Sequence, residues 1–121
     1  MVNEERNVVR EKSYALALRV IRLARSLRNE KEFELAGQLI RAGTSVGANV
    51  EEAQAAHSRP DFVAKMSIAA KEARETPYWL RRLRDSRTGP SDEVTGMLCE
   101  ADELIRLLTA IVKTGQRSAG S

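Results

Sequence analysis

Between Gln38 and Leu83 the chain reads QLIRAGTSVGANVEEAQAAHSRPDFVAKMSIAAKEARETPYWLRRL, and this stretch limits the possible folds more than any other. Apolar residues recur at spacings of three and four on either side of a single break, His57-Ser58-Arg59-Pro60-Asp61. That pattern describes two amphipathic helices joined by a sharp turn. Between the apolar positions stand glycine, serine, asparagine and glutamate where a plain bundle carries leucine, and each gives up apolar burial. Glycine inside a helix also costs about 1 kcal/mol relative to alanine. Gly37, Gly43 and Gly47 therefore require a compensating gain, and close approach of another helix supplies one. The pattern points to a helix pair built to assemble rather than to an active site.

The break itself is a helix start. Ser58 stands at an N-cap position with Asp61 three residues on, a capping-box-like pair. Pro60 falls in the first turn, where a missing N–H does no harm.

The same periodicity extends in both directions. Helix 1 is expected from about Glu4 to Leu27, with Val9, Leu16, Val20, Leu23 and Leu27 on one face. Tyr14, Leu18 and Ile21 lie nearly opposite at about 100° per residue. A monomeric bundle leaves that second stripe in water, so it is a candidate subunit interface, the alternative being scattered surface apolars. The turn Arg28-Asn29-Glu30-Lys31 is too short for anything but an antiparallel neighbour. Helix 2, about Glu32 to Ala56, places Leu35, Leu39, Ala42, Val46 and Ala53 inward, with Ala36, Gly43 and Gly47 on a flank. Gln38, Ser45, Asn49 and Glu52 make a polar stripe bordering its core face.

Helix 3, about Arg59 to Asp85, turns Phe62, Met66, Ala69, Ala73, Leu80 and Leu83 inward. Its mixed flank is Ile68, Glu72, Glu75 and Trp79, and Pro77 removes one backbone hydrogen bond. After the break at Arg87-Thr88-Gly89-Pro90-Ser91 comes helix 4, to about Thr114. Val94, Met97, Leu98, Ala101, Ile105, Leu108 and Val112 supply the last wall of the core. The expected fold is all-α, an antiparallel up-down-up-down four-helix bundle. It forms one domain over residues 1–115, with a flexible C-terminal tail at 116–121. Helices of about 24 residues would be about 36 Å long.

Composition fits this reading. Aromatics are 4% of the 121 residues, so the core must be aliphatic and alanine-rich. No apolar run approaches the roughly 20 residues that cross a bilayer. The N-terminus, MVNEERNVVREK, lacks the apolar segment of a signal peptide. A cytoplasmic protein without membrane contact is expected. The single cysteine, Cys99, has no partner for an internal disulfide and is expected to be a half-buried small residue.

Three constellations bear on chemistry. Asn49 and Glu52 on helix 2 and Glu72 and Glu75 on helix 3 can approach each other across the turn. Paired carboxylates suggest acid–base work or a metal, but a di-iron bundle needs Glu-x-x-His pairs and none occurs. The one histidine, His57, sits at a helix end. No metal or cofactor is expected. Arg41, Lys71 and Arg74 are available as ion-pair partners, and the seam reads as a device for helix register or subunit pairing.

The arginines come second. Arg22, Arg25 and Arg28 end helix 1, while Arg81, Arg82, Arg84 and Arg87 end helix 3. An up-down bundle brings both clusters to one end, and an oligomeric ring would multiply them into a basic rim suited to phosphate backbones. The alternative is that they satisfy helix dipoles, with Glu30, Glu32, Asp92 and Glu93 offsetting part of the field. No aromatic residues interleave with these arginines, so binding is expected to be to the backbone rather than by base stacking. The net charge of +3 permits nucleic-acid binding without demanding it. Third, Trp79 reads as closing a bundle end or a subunit interface. Catalytic residues are not expected, since phosphate-loop, nucleophile-elbow and zinc-ligand spacings are all missing.

Four segments also resemble a bacterial family known as the four-helix bundle proteins, whose founding members are encoded in intervening sequences of the large-subunit ribosomal RNA gene. They are KSYALALRVIRL, QLIRAGTSVGANVEEAQAA, SRPDFVAKMSIAAKEA and ETPYWLRRL, all between Lys12 and Asp85. The resemblance implies a small bundle that forms a homo-oligomer, commonly a pentamer, with no established enzymatic activity. A related branch is the accessory variability protein of diversity-generating retroelements, which binds a reverse transcriptase and nucleic acid through a basic surface. The expected function is a non-enzymatic oligomeric adaptor that binds RNA or DNA or a nucleoprotein. The alternative is a protein-interaction scaffold that binds no nucleic acid.

Overall fold

The computed structural model describes residues 3–120. It contains four helices: α1 (Asn3–Asn29), α2 (Phe33–Gln54), α3 (Arg59–Asp85) and α4 (Ser91–Gly120). They pack in ring order, α1 on α2, α2 on α3, α3 on α4, and α4 back on α1. The short connections make successive helices antiparallel, giving the all-α four-helix bundle expected from the periodicity. Among the described residues no helix is long and apolar enough to cross a membrane.

The core is aliphatic. Val9, Leu16, Val20, Leu23 and Leu27 of α1 are buried, as are Leu39, Ala42, Val46 and Ala53 of α2 and Phe62, Met66, Ala69, Ala73, Leu80 and Leu83 of α3. On α4 the buried line is Val94, Met97, Ala101, Leu104, Leu108 and Ile111. Leu98, Ile105 and Val112 sit half-buried beside it. The sequence expectation mixed two adjacent apolar lines of this helix. Leu104 and Ile111, not Ile105 and Val112, keep the alternating three-four step that faces the bundle axis. Leu35 of α2 is likewise half-buried, while Val50 is fully buried. Cys99 is exposed on α4, correcting the expectation of a half-buried residue.

The glycines show where helices come closest. A methyl group added at Gly43 would stand 2.6 Å from Val20 Cγ2. One added at Gly47 would stand 3.5 Å from the Ser13 carbonyl oxygen. The close approach that these residues permit is therefore between α2 and α1 of the same chain. Gly37 meets nothing within 4 Å. α4 runs past Thr114 to Gly120; Gly115 keeps helical backbone rather than the left-handed stop, and a methyl there would stand 2.6 Å from Val63 Cγ2.

α3 begins as its sequence dictates. Ser58 Oγ accepts the Asp61 backbone N–H at 3.2 Å, with Pro60 in the first turn. The Asp61 carboxylate accepts the backbone N–H of His57 at 3.1 Å, one residue before the cap. The α1 and α3 C-termini close differently from the glycine norm. Glu32 N–H donates to the Leu27 carbonyl and Lys31 N–H to that of Arg28. Thr88 N–H donates to Leu83 and Arg87 N–H to Arg84 in the same pattern. These are Schellman closures, and the residues in left-handed backbone are Lys31 (φ 66°) and Arg87 (φ 57°).

Candidate nucleic-acid interface and polar seam

The α3–α4 connection lies on the end of α1: a methyl at Gly89 would stand 3.6 Å from Leu23 Cδ1 and 3.7 Å from Leu27 Cδ2. Arg22, Arg25, Arg28, Arg81, Arg82, Arg84 and Arg87 therefore share one end of the bundle, and all are exposed. Arg84 Nε pairs with Asp85 at 2.9 Å. Among the described residues the other six make no ion pair with a carboxylate. Of the acids at this end, Glu93 is held by Arg19 Nε at 3.2 Å, and Arg19 also pairs with Glu100. Arg19 thereby ties α1 to α4 and takes Glu93 away from the arginines. Glu30, Glu32 and Asp92 remain to offset part of the field.

The structure departs from the sequence reading by placing an aromatic ring among the arginines. Tyr78, 43% exposed, accepts a hydrogen bond on its hydroxyl from Arg82 Nη1 at 2.9 Å. The Arg82 guanidinium lies 5.7 Å from the Tyr78 ring centre and 5.9 Å from that of Trp79. Tyr78 and Trp79 meet edge-to-face, 5.0 Å apart. Helical spacing carried the signal, since Tyr78 precedes Arg82 by four residues and so sits beside it on the same face.

The polar seam lies between α2 and α3, with a smaller membership than the sequence suggested. Glu72, whose side chain is only 15% exposed, accepts from Ser45 Oγ at 3.1 Å and from Arg41 Nη1 at 3.3 Å. Glu75 pairs with Arg41 and accepts from Trp79 Nε1 at 3.2 Å. Arg41 thus binds both carboxylates and offsets one of their two charges, while Ser45 and Trp79 add a neutral hydrogen bond to each. Asn49 turns to its own helix, donating from Nδ2 to the Ser45 carbonyl at 2.8 Å. Gln38 is half-buried and Glu52 exposed, and neither bonds across to α3. Lys71 and Arg74 are exposed and make no ion pair among the described residues. Among those residues no group of three metal-binding side chains gathers.

The remaining candidates lie on the outer surface of α1 and α2. Tyr14 is 67% exposed and Leu18 38%, with Ile21 half-buried beside them. Tyr14 edges a shallow hollow floored by Ala17, Thr44, Gly47 and Ala48. Gly43 is buried against α1 and is not part of that surface. A separate cavity of about 570 Å³ opens at the far end, where the Arg6 guanidinium lies 4.1 Å over the Phe62 ring. Its lining includes His57 and Ser58 but no residue of the arginine end, the polar seam or the Tyr14 stripe.

Four antiparallel helices, an arginine-rich end and an ion-paired seam define a small all-α bundle. The chain belongs to the 23S rRNA-intervening sequence protein family, which residues 5–110 match. That span takes in nearly all of the bundle. The fold is similar to the crystal structure of a protein of unknown function from the S23 ribosomal protein family of Bacteroides thetaiotaomicron VPI-5482. That protein is 40% identical, and the alignment covers 90% of this chain and 98% of that one, with a TM-score of 0.85. None of the curated proteins matches this chain significantly.

Proposed function

We propose that this protein is a non-enzymatic homo-oligomeric adaptor whose arginine-rich end binds the phosphate backbone of RNA or DNA. One observation carries the reading. Arg22, Arg25, Arg28, Arg81, Arg82, Arg84 and Arg87 converge on one end, and among the described residues only Arg84 of these is paired with a carboxylate. Helix dipoles account for a cation or two in each last turn. Seven arginines at the ends of two helices exceed that number. Assembly is supported by Tyr14, Leu18 and Ile68, which leave large apolar side chains in water. The family name points to RNA as the first ligand to try.

The test begins with sizing by light scattering, then anisotropy titrations of labelled duplex DNA and structured RNA across salt. The expected result is an oligomer whose affinity for the duplex falls with a log–log slope of about −0.9 per phosphate neutralised. Arg81→Ala with Arg84→Ala should make that slope shallower by about 2. An oligomer with no binding at low salt would refute the nucleic-acid reading. It would favour the second reading, a protein-interaction scaffold, for which the exposed Phe33 at the start of α2 speaks.

A further inference from the structure

The outward face of α3 carries a line of charge that extends beyond the arginine end. Lys71, Arg74, Tyr78, Arg81 and Arg82 follow one another at helical spacings and are all exposed. Across Lys71 to Arg82 the line runs about 17 Å along the helix. Among the described residues none of its four cations pairs with a carboxylate. The nearby acids are engaged elsewhere: Glu72 and Glu75 turn toward α2 and Arg41, and Asp85 is held by Arg84. At the middle of the line stands one exposed ring, Tyr78, with Arg82 bonded to its hydroxyl.

From this we infer that a single nucleic-acid strand lies along α3, its phosphates on Lys71, Arg74, Arg81 and Arg82 and one unpaired base on Tyr78. The inference rests on the nucleic-acid reading above and adds the form of ligand and its path. A cationic track interrupted by an aromatic ring is the arrangement that holds single strands, because every base offers a π-face to stack. A duplex keeps its bases inside and gains nothing from the ring. Arg82 serves twice, as a phosphate contact and as a guanidinium plane beside the stacking site.

The full-length protein is titrated with a fluorescent RNA single strand of about 12 nucleotides and with the matched duplex. The variants are Tyr78→Ala, Tyr78→Phe and the pair Lys71→Ala with Arg74→Ala, each checked by circular dichroism. The expected result is that Tyr78→Ala binds the single strand about tenfold more weakly with the salt slope unchanged, while Tyr78→Phe keeps affinity. The Lys71, Arg74 pair should make the single-strand slope shallower by about 1.4. If duplex binding is present and sensitive to Arg81 and Arg84, but Tyr78→Ala changes nothing, the strand path is wrong and the backbone-binding end stands. An unchanged slope in the Lys71, Arg74 pair overturns the path as well. If neither nucleic acid binds at low salt, both readings fall together.

Discussion

Gly43 and Gly37 look alike in the sequence and differ wholly in their surroundings. A side chain at Gly43 would collide with the branched Val20, which is locked in the core. Gly43→Ala should therefore destabilise the bundle by about 1–3 kcal/mol, read in a urea melt. Gly37 has open space around it, so Gly37→Ala should stabilise by about 1 kcal/mol through helix propensity alone. Both substitutions destabilising equally would mean that the α1–α2 approach is misplaced. Lys31 presents the converse case. Its left-handed backbone is strained for a side-chain-bearing residue, and Lys31→Gly should stabilise by about 1 kcal/mol. A fall in melting temperature would show that the lysine side chain contributes more than its backbone costs. At this scale sequence could identify glycine as a close-contact residue but could not say which helix it meets.

Each helix was legible to within a turn, apart from the α4 C-terminus, because amphipathic period and capping residues are local. The α3 N-terminus shows this best. Asp61 accepts from Lys65 Nζ at 2.7 Å and from the His57 N–H, and these bonds, the Lys65 one foremost, hold its carboxyl below the usual carboxylate range. A folded-state pKa depressed in this way adds stability above the unfolded value, and that contribution is lost as pH falls through the folded value. Asp61→Asn should therefore lower the melting temperature at pH 7, and the gap to wild type should close in acid, below about pH 4. A gap independent of pH would assign the effect to shape instead of charge. The α4 stop was misread because Gly115 keeps helical backbone, and it lies against Val63 on another helix. The seam between α2 and α3 was half legible. Its carboxylates were evident from spacing, but that Arg41 grips both while Asn49 folds back on its own helix depends on rotamers. Arg41→Ala should destabilise by about 1 kcal/mol, a modest figure because its side chain is half exposed.

Across the whole molecule, ion pairs bridge the closing seam of the ring. Arg19 reaches Glu93 and Glu100, and Lys12 Nζ reaches Glu103 at 2.8 Å, all between α1 and α4. The proposed assembly is a prediction at this scale too. Tyr14→Glu with Leu18→Glu should leave helicity intact and reduce the mass by light scattering. A variant of unchanged mass would remove that stripe from the interface. The bundle itself followed from the sequence, because apolar period, helix caps and short turns act within a few residues and leave one compact solution. The arginine end was also visible there, since antiparallel topology alone brings the ends of α1 and α3 together. Which glycine faces which helix, which carboxylate is paired, and that Tyr78 stands among the cations of α3 were decided only in three dimensions. These depend on rotation about helix axes and on side-chain direction, and residues far apart in the chain set both by packing.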